Sequence, residues 1–143
     1  MARIELLMSV LAGTSGGMAG LVWSRLVSAA WLARAAGSSQ VSQDAEPASR
    51  QVAAAVLFAG GGAALGFLFW LGWGLISLVG ASWVSVGMLY GALAWAGVAL
   101  PLLGVLALRL RGLGGAALVL AVEWLVTCEA IGLSCALAWH RYA

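Results

Sequence analysis

Long apolar runs, rather than an alternation of apolar and polar positions, dominate this chain. Between Gln51 and Leu108 no residue carries a charge. A single helix over that stretch, at about 1.5 Å per residue, would run far beyond the roughly 30 Å of a bilayer's hydrocarbon core. The chain must therefore fold back once, and Gly80-Ala81-Ser82 is the place, since glycine ends one helix and serine caps the next. This predicts one span from about Val52 to Val79 and another from about Ser82 to Leu108, each long enough to cross with some tilt.

Three further stretches complete the layout. Residues 37–50 (GSSQVSQDAEPASR) are the one sustained polar segment and read as a surface loop. Asp44 and Glu46 stand where helix caps belong, and Pro47 suits a first turn, because its missing N–H would be unpaired there in any case. After Leu108, Arg109-Leu110-Arg111-Gly112 is a short basic turn that ends the third span. A fourth apolar run, from about Leu113 to Trp139, is interrupted by Glu123 and Glu129 and finishes in Trp139-His140-Arg141-Tyr142, an interfacial anchor. The first run, from about Ile4 to Ala33, contains Arg25 and a flexible Gly13-Thr14-Ser15-Gly16-Gly17 patch. A cleaved signal peptide competes with a true span here. Glu5 spoils the basic n-region, the glycine patch interrupts the apolar region early, and Arg25 precedes any small-residue cleavage site such as Ala33-Arg34-Ala35, so a true span is expected.

Composition points the same way. The 143 residues are 64% hydrophobic and 8% charged, with a mean hydropathy of +1.05, whereas soluble domains carry roughly a quarter charged residues. A chain this short has too little interior to hide so much apolar surface, and lipid must take the place of a core. The expected fold is all-α: one membrane domain over residues 1–143, a bundle of four transmembrane helices, or three if the first run is not a span. Seven arginines against five acids leave a net charge of +2. The basic residues are scattered, which excludes a nucleic-acid partner. Placing the Arg109/Arg111 turn in the cytoplasm puts residues 34–50 on the same side and the Gly80 turn and both termini outside.

Helices in lipid gain little from hydrophobic exclusion, so close packing must come from small residues. Gly13/Gly17 and Gly16/Gly20 on the first run, Gly62/Gly66 on the second and Gly87/Gly91 on the third each form a G-x-x-x-G face. Such faces pack helices within a bundle, with self-association as the alternative. Pro101 should kink the third span. Of eight tryptophans, Trp31, Trp83 and Trp139 fall at the interface as an aromatic belt. Trp70, Trp73 and Trp95 lie deeper, where an indole N–H wants a partner, and are candidates to line a helix interface or a path.

Ionisable residues inside a span are expensive and face the bundle interior or water by default. Glu123 and Glu129 are six residues apart, which on a helix separates them by roughly 120° around and about 9 Å along the axis, so they do not form one acid–base pair. Arg25 lies at a depth comparable to Glu123, and an Arg25–Glu123 ion pair across antiparallel helices would remove two isolated charges from lipid. Glu129 has no such partner; Thr14, Ser15 or a deep tryptophan could hydrogen-bond it, or it could carry a proton or cation. Cys128 and Cys135 read as small buried hydrophobes. With His140 the one histidine, neither a metal site nor any other cofactor is expected.

The segment Gly16-Gly17-Met18-Ala19-Gly20-Leu21-Val22-Trp23-Ser24-Arg25 resembles the first helix of the Fluc fluoride channels, but the phenylalanine-rich filter segment of that family is absent. The layout is similar to that of small bacterial inner-membrane proteins with a glycine-rich first helix and a polar loop before the second, which implies the bacterial cytoplasmic membrane. Neither resemblance transfers a functional residue. With no Asp/His/Ser constellation, no enzyme is expected. The reading is an accessory or structural subunit, packing by glycine faces in a homo-oligomer or a larger membrane complex. The alternative is a small proton- or cation-coupled transporter that uses Glu129 as its membrane carboxylate.

Overall fold

A computed structural model describes residues 2–28, 30–31, 48–76, 82–109 and 114–142. Helix α1 (Ala2–Trp23) continues as a π-helical turn over Ser24–Ser28. Helix α2 covers Ala48–Ile76. The third span is α3 (Trp83–Ala94), a π segment (Trp95–Ala99) and α4 (Leu100–Arg109). Helix α5 (Gly114–Tyr142) closes the chain. Among the described residues four stretches are long and apolar enough to cross a bilayer: Arg3–Val27, Gln51–Gly72, Trp83–Val105 and Ala117–Arg141. The fold is thus the four-helix alternative, with the first run a full-length helix. In hydrocarbon every backbone N–H and C=O needs an internal partner, and the α-helix supplies one residue by residue.

The Gly13–Gly17 patch, expected to be flexible, passes as unbroken helix. The Thr14 hydroxyl donates to the Val10 carbonyl and the Ser15 hydroxyl to the Ala12 carbonyl, each at 2.8 Å, so neither polar side chain competes with the helix in lipid. The turn expected at Gly80 falls among residues 77–81, outside the described residues. Its second half is visible: Ser82 caps α3, its hydroxyl accepting from the Ser85 N–H at 3.2 Å and its carbonyl from the Val86 N–H at 3.1 Å. Helix α2 begins at Ala48, so the last residues of the expected 37–50 loop are already helical, while Asp44, Glu46 and Pro47 lie outside the described residues.

The glycine faces decide the arrangement. A Cβ on Gly13 would stand 2.8 Å from the Gly66 Cα and would strike the Gly62 carbonyl, and Gly17 faces Phe58 and Gly62, so α1 and α2 run antiparallel with backbones in contact. The other side of α1 meets α5: a Cβ on Gly16 would lie 2.5 Å from the Ile131 Cα, and Gly20 is covered by Thr127. Helix α5 in turn meets α3, where Gly87 abuts Leu133 and Gly132, and Gly91 abuts Glu129. The order across the bundle is α2, α1, α5, third span, with α1 and α5 at the centre. Chain neighbours α2 and α3 therefore share little contact, and they meet around Tyr90, whose hydroxyl donates to the Leu65 carbonyl at 2.5 Å and whose ring meets Phe69 edge-on at 4.9 Å.

The outside is apolar. Ile4, Leu7, Leu11, Met18 and Val22 form an exposed stripe along α1, and Val52, Val56, Leu93 and Leu118 are exposed on other helices. The interior holds Phe69, Val86, Tyr90, Ile131, Cys135 and Ala136. An exposed apolar stripe on the helix that holds the bundle's centre is what a hydrocarbon solvent permits and water does not.

Candidate functional site

Polar groups inside the bundle are few, and most are matched. Ser9, fully buried on α1, accepts the Trp139 indole N–H at 2.7 Å through its hydroxyl and the Cys135 thiol at 3.5 Å through its carbonyl, so α5 is tied to α1 at this end. Thr127 returns its hydroxyl to the Glu123 carbonyl on its own helix at 2.9 Å. Trp95 donates its indole N–H to the Ala121 carbonyl at 2.9 Å and so fastens the third span to α5. Ser9, Thr127 and Gly132 were not legible as contact residues in the sequence, because a single small residue in an apolar run has no partner until the neighbouring helix is placed.

Glu129 is different. It occupies the middle of the Ala117–Arg141 stretch. Its side chain lies across Gly91, where an added Cβ would come within 2.9 Å of both the Glu129 Cδ and the Cys128 carbonyl. One carboxyl oxygen, Oε2, is buried and has no hydrogen-bond partner among the described residues. Of the donors considered from the sequence, Thr14, Ser15 and Trp95 are bonded to backbone carbonyls elsewhere. At mid-membrane a buried carboxyl oxygen without a partner is costly, and a donor from outside the described residues would relieve it.

Glu123 is buried, with 6% of its surface exposed. It lies on another seam. Gly16 opposite Ile131 and Gly20 opposite Thr127 set the antiparallel register of α1 and α5, and one further turn brings Ser24 level with Glu123. The π turn that carries Arg25 touches α5, so the fold brings the segments of the expected Arg25–Glu123 pair together. The two acids remain apart, Glu123 towards α1 and Glu129 towards α3, as their spacing implied.

Trp70 and Trp95 make separate contacts. Trp70 stacks on Phe67 along α2 at 6.0 Å, Trp95 is anchored to α5, and the Trp73 side chain lies outside the described residues. A cavity of about 320 Å³ does exist, between α2 and the third span, but neither Trp70 nor Trp95 lines it; its walls include Gly61, Leu65, Ala94 and Val98, and its floor is Trp124 and Cys128. Trp124 is held there by stacking on Phe58, with ring centroids 5.7 Å apart. Cys128 and Cys135 are free and buried. At the Trp139 end, His140 stacks on Trp83 at 6.3 Å and joins the start of α3 to the end of α5. Among the described residues no three His, Cys, Asp or Glu side chains come together as metal ligands would.

The chain is an integral membrane protein, an all-α bundle of four helices able to cross a bilayer. Comparison with protein-family models, with curated proteins and with solved structures gives no match.

Proposed function

We propose that the chain is an accessory or structural subunit of a membrane assembly, and that Glu129 is the group through which it recognises its partner. The observation that supports this reading is the buried Glu129 Oε2, at mid-span and without a hydrogen-bond partner among the described residues. Gly13, Gly16, Gly17, Gly20, Gly62, Gly66, Gly87 and Gly91 all abut helices of the same chain, which favours the acid over the glycine faces as the group that meets another chain. Recognition then falls to the acid. A carboxyl group in hydrocarbon gains most from a donor on a neighbouring helix, an amide, hydroxyl or basic side chain, because the alternative is an unmatched polar group. The assembly sits in the bacterial cytoplasmic membrane, with residues 34–50 and 109–112 on the cytoplasmic side.

The test is purification in mild detergent with the native membrane as source. Wild type should bring down a second membrane chain or a second copy of itself, Glu129→Leu should lose it, and Glu129→Gln, which can still hydrogen-bond, should retain part of it. Recovery of wild type alone and monomeric refutes the reading.

The same oxygen favours a second reading, a small transporter that couples to a proton or cation at Glu129. Liposomes distinguish the two. Proton or monovalent-cation flux carried by wild type and abolished in Glu129→Gln supports coupling; equal flux in both removes it.

A further inference from the structure

The third span does not follow its neighbours along its whole length. Its helix widens over Trp95–Ala99, just before Pro101, and the Leu100 N–H donates to the Trp95 carbonyl five residues back. Proline at 101 has no N–H to give and crowds the carbonyl four residues before it, which is where the wider turn lies. Beyond that turn α4 packs on α5 and, among the described residues, makes no contact with α2. On the other side of the turn, Tyr90 holds α3 to α2 through Leu65 and Phe69. Two helices joined at one end and parted at the other enclose a wedge, and the cavity of about 320 Å³ is that wedge.

Its walls are small where they could be large. Gly61 and Ala64 stand on α2, and Ala94 and Ala99 on the third span, over a floor of Trp124 and Cys128. Helix packing does not require the glycine at 61: a Cβ there would meet nothing within 4 Å, whereas at the next residue, Gly62, it would strike the Gly13 backbone. The walls lie inside the Gln51–Gly72 and Trp83–Val105 stretches that cross the bilayer, so hydrocarbon stands at the mouth.

Four occupants can be compared. Water needs two to four polar partners, and this wedge is walled by apolar groups. A void forfeits the dispersion contacts of every wall atom. A partner helix is about 10–12 Å across, too broad to enter a wedge whose two walls are joined at Tyr90. A single polymethylene chain is one carbon wide, apolar throughout and supplied by the surroundings. We propose that the cleft between α2 and the third span is a binding site for one acyl chain of a membrane lipid, held against Trp124.

The experiment reconstitutes the full chain in phosphatidylcholine liposomes doped with a phospholipid bearing a diazirine midway along one acyl chain. After irradiation, adducts are mapped by peptide mass spectrometry. Wild type should label at Leu65, Ala99, Leu103, Trp124 and Cys128, which line the cleft without being openly exposed, in excess of the openly exposed Leu57 and Leu118. Gly61→Leu should abolish that excess while Leu57 and Leu118 label as before, and Gly60→Leu, on the same helix but outside the cleft, should leave it intact. Labelling no stronger in the cleft than at Leu57 and Leu118, or cleft labelling that survives Gly61→Leu, overturns the proposal. Should Gly61→Leu fail to fold, dilution of the probe in wild type decides: cleft labelling saturates with probe fraction for a site, and rises in proportion with Leu118 labelling for bulk lipid.

Discussion

The indole N–H of Trp139, close to the end of α5, donates to the hydroxyl of Ser9, close to the start of α1, across 2.7 Å. The two residues are 130 positions apart in the chain, and their bond fastens the central helix pair at one end. Interhelical hydrogen bonds in membranes average about 0.6 kcal/mol, because the unfolded chain in lipid also finds partners. Ser9→Ala should therefore destabilise the bundle by about that amount, and Trp139→Phe, which keeps a ring but leaves the Ser9 hydroxyl unmatched, by somewhat more. Steric-trapping measurements in bicelles would check both; a loss of several kcal/mol for Ser9→Ala would mean the bond carries more than its geometry implies.

Glycines in this chain divide into two groups by what surrounds them. Gly13→Val forces a side chain into the α2 backbone and should cost about 1–3 kcal/mol or more, the range for overpacked interiors. Gly60→Ala meets nothing within 4 Å and should be neutral or stabilising by up to about 1 kcal/mol through helix propensity. Thermal unfolding in mild detergent orders the two variants, and the close α1–α2 approach is wrong if they behave alike.

Arg25 and Glu123 lie on segments that the α1–α5 register brings to one level. A double-mutant cycle with Arg25→Leu and Glu123→Leu should give a favourable coupling within the roughly 0.5–3 kcal/mol of interacting pairs, towards the low end because Arg25 is exposed. The swapped pair, Arg25→Glu with Glu123→Arg, should recover part of the stability that either reversal loses alone. Strict additivity would separate the two residues.

Sidedness has a direct reading, because Cys128 and Cys135 are buried and wild type should stay silent to a membrane-impermeant maleimide. Gly112→Cys should react from the cytoplasmic face and Gly80→Cys from the opposite one. The reverse pattern inverts the topology but leaves the bundle as described.

What the sequence determined by itself is the solvent and the element type: uncharged stretches that long must be helices in hydrocarbon, and the Ser82 cap fixed where the third of them begins. It also marked most of the glycines on which backbones meet. The assignment of partners came only with the tertiary structure. Which helix stands beside which, why α2 and the third span part into a cleft, and why the Glu129 Oε2 finds no donor among the described residues all depend on register between distant segments. Apolar residues cover α1 on nearly every side, so in lipid the pattern of polarity cannot tell an inward face from an outward one. Only the fit of a neighbour's backbone against glycine could make that choice.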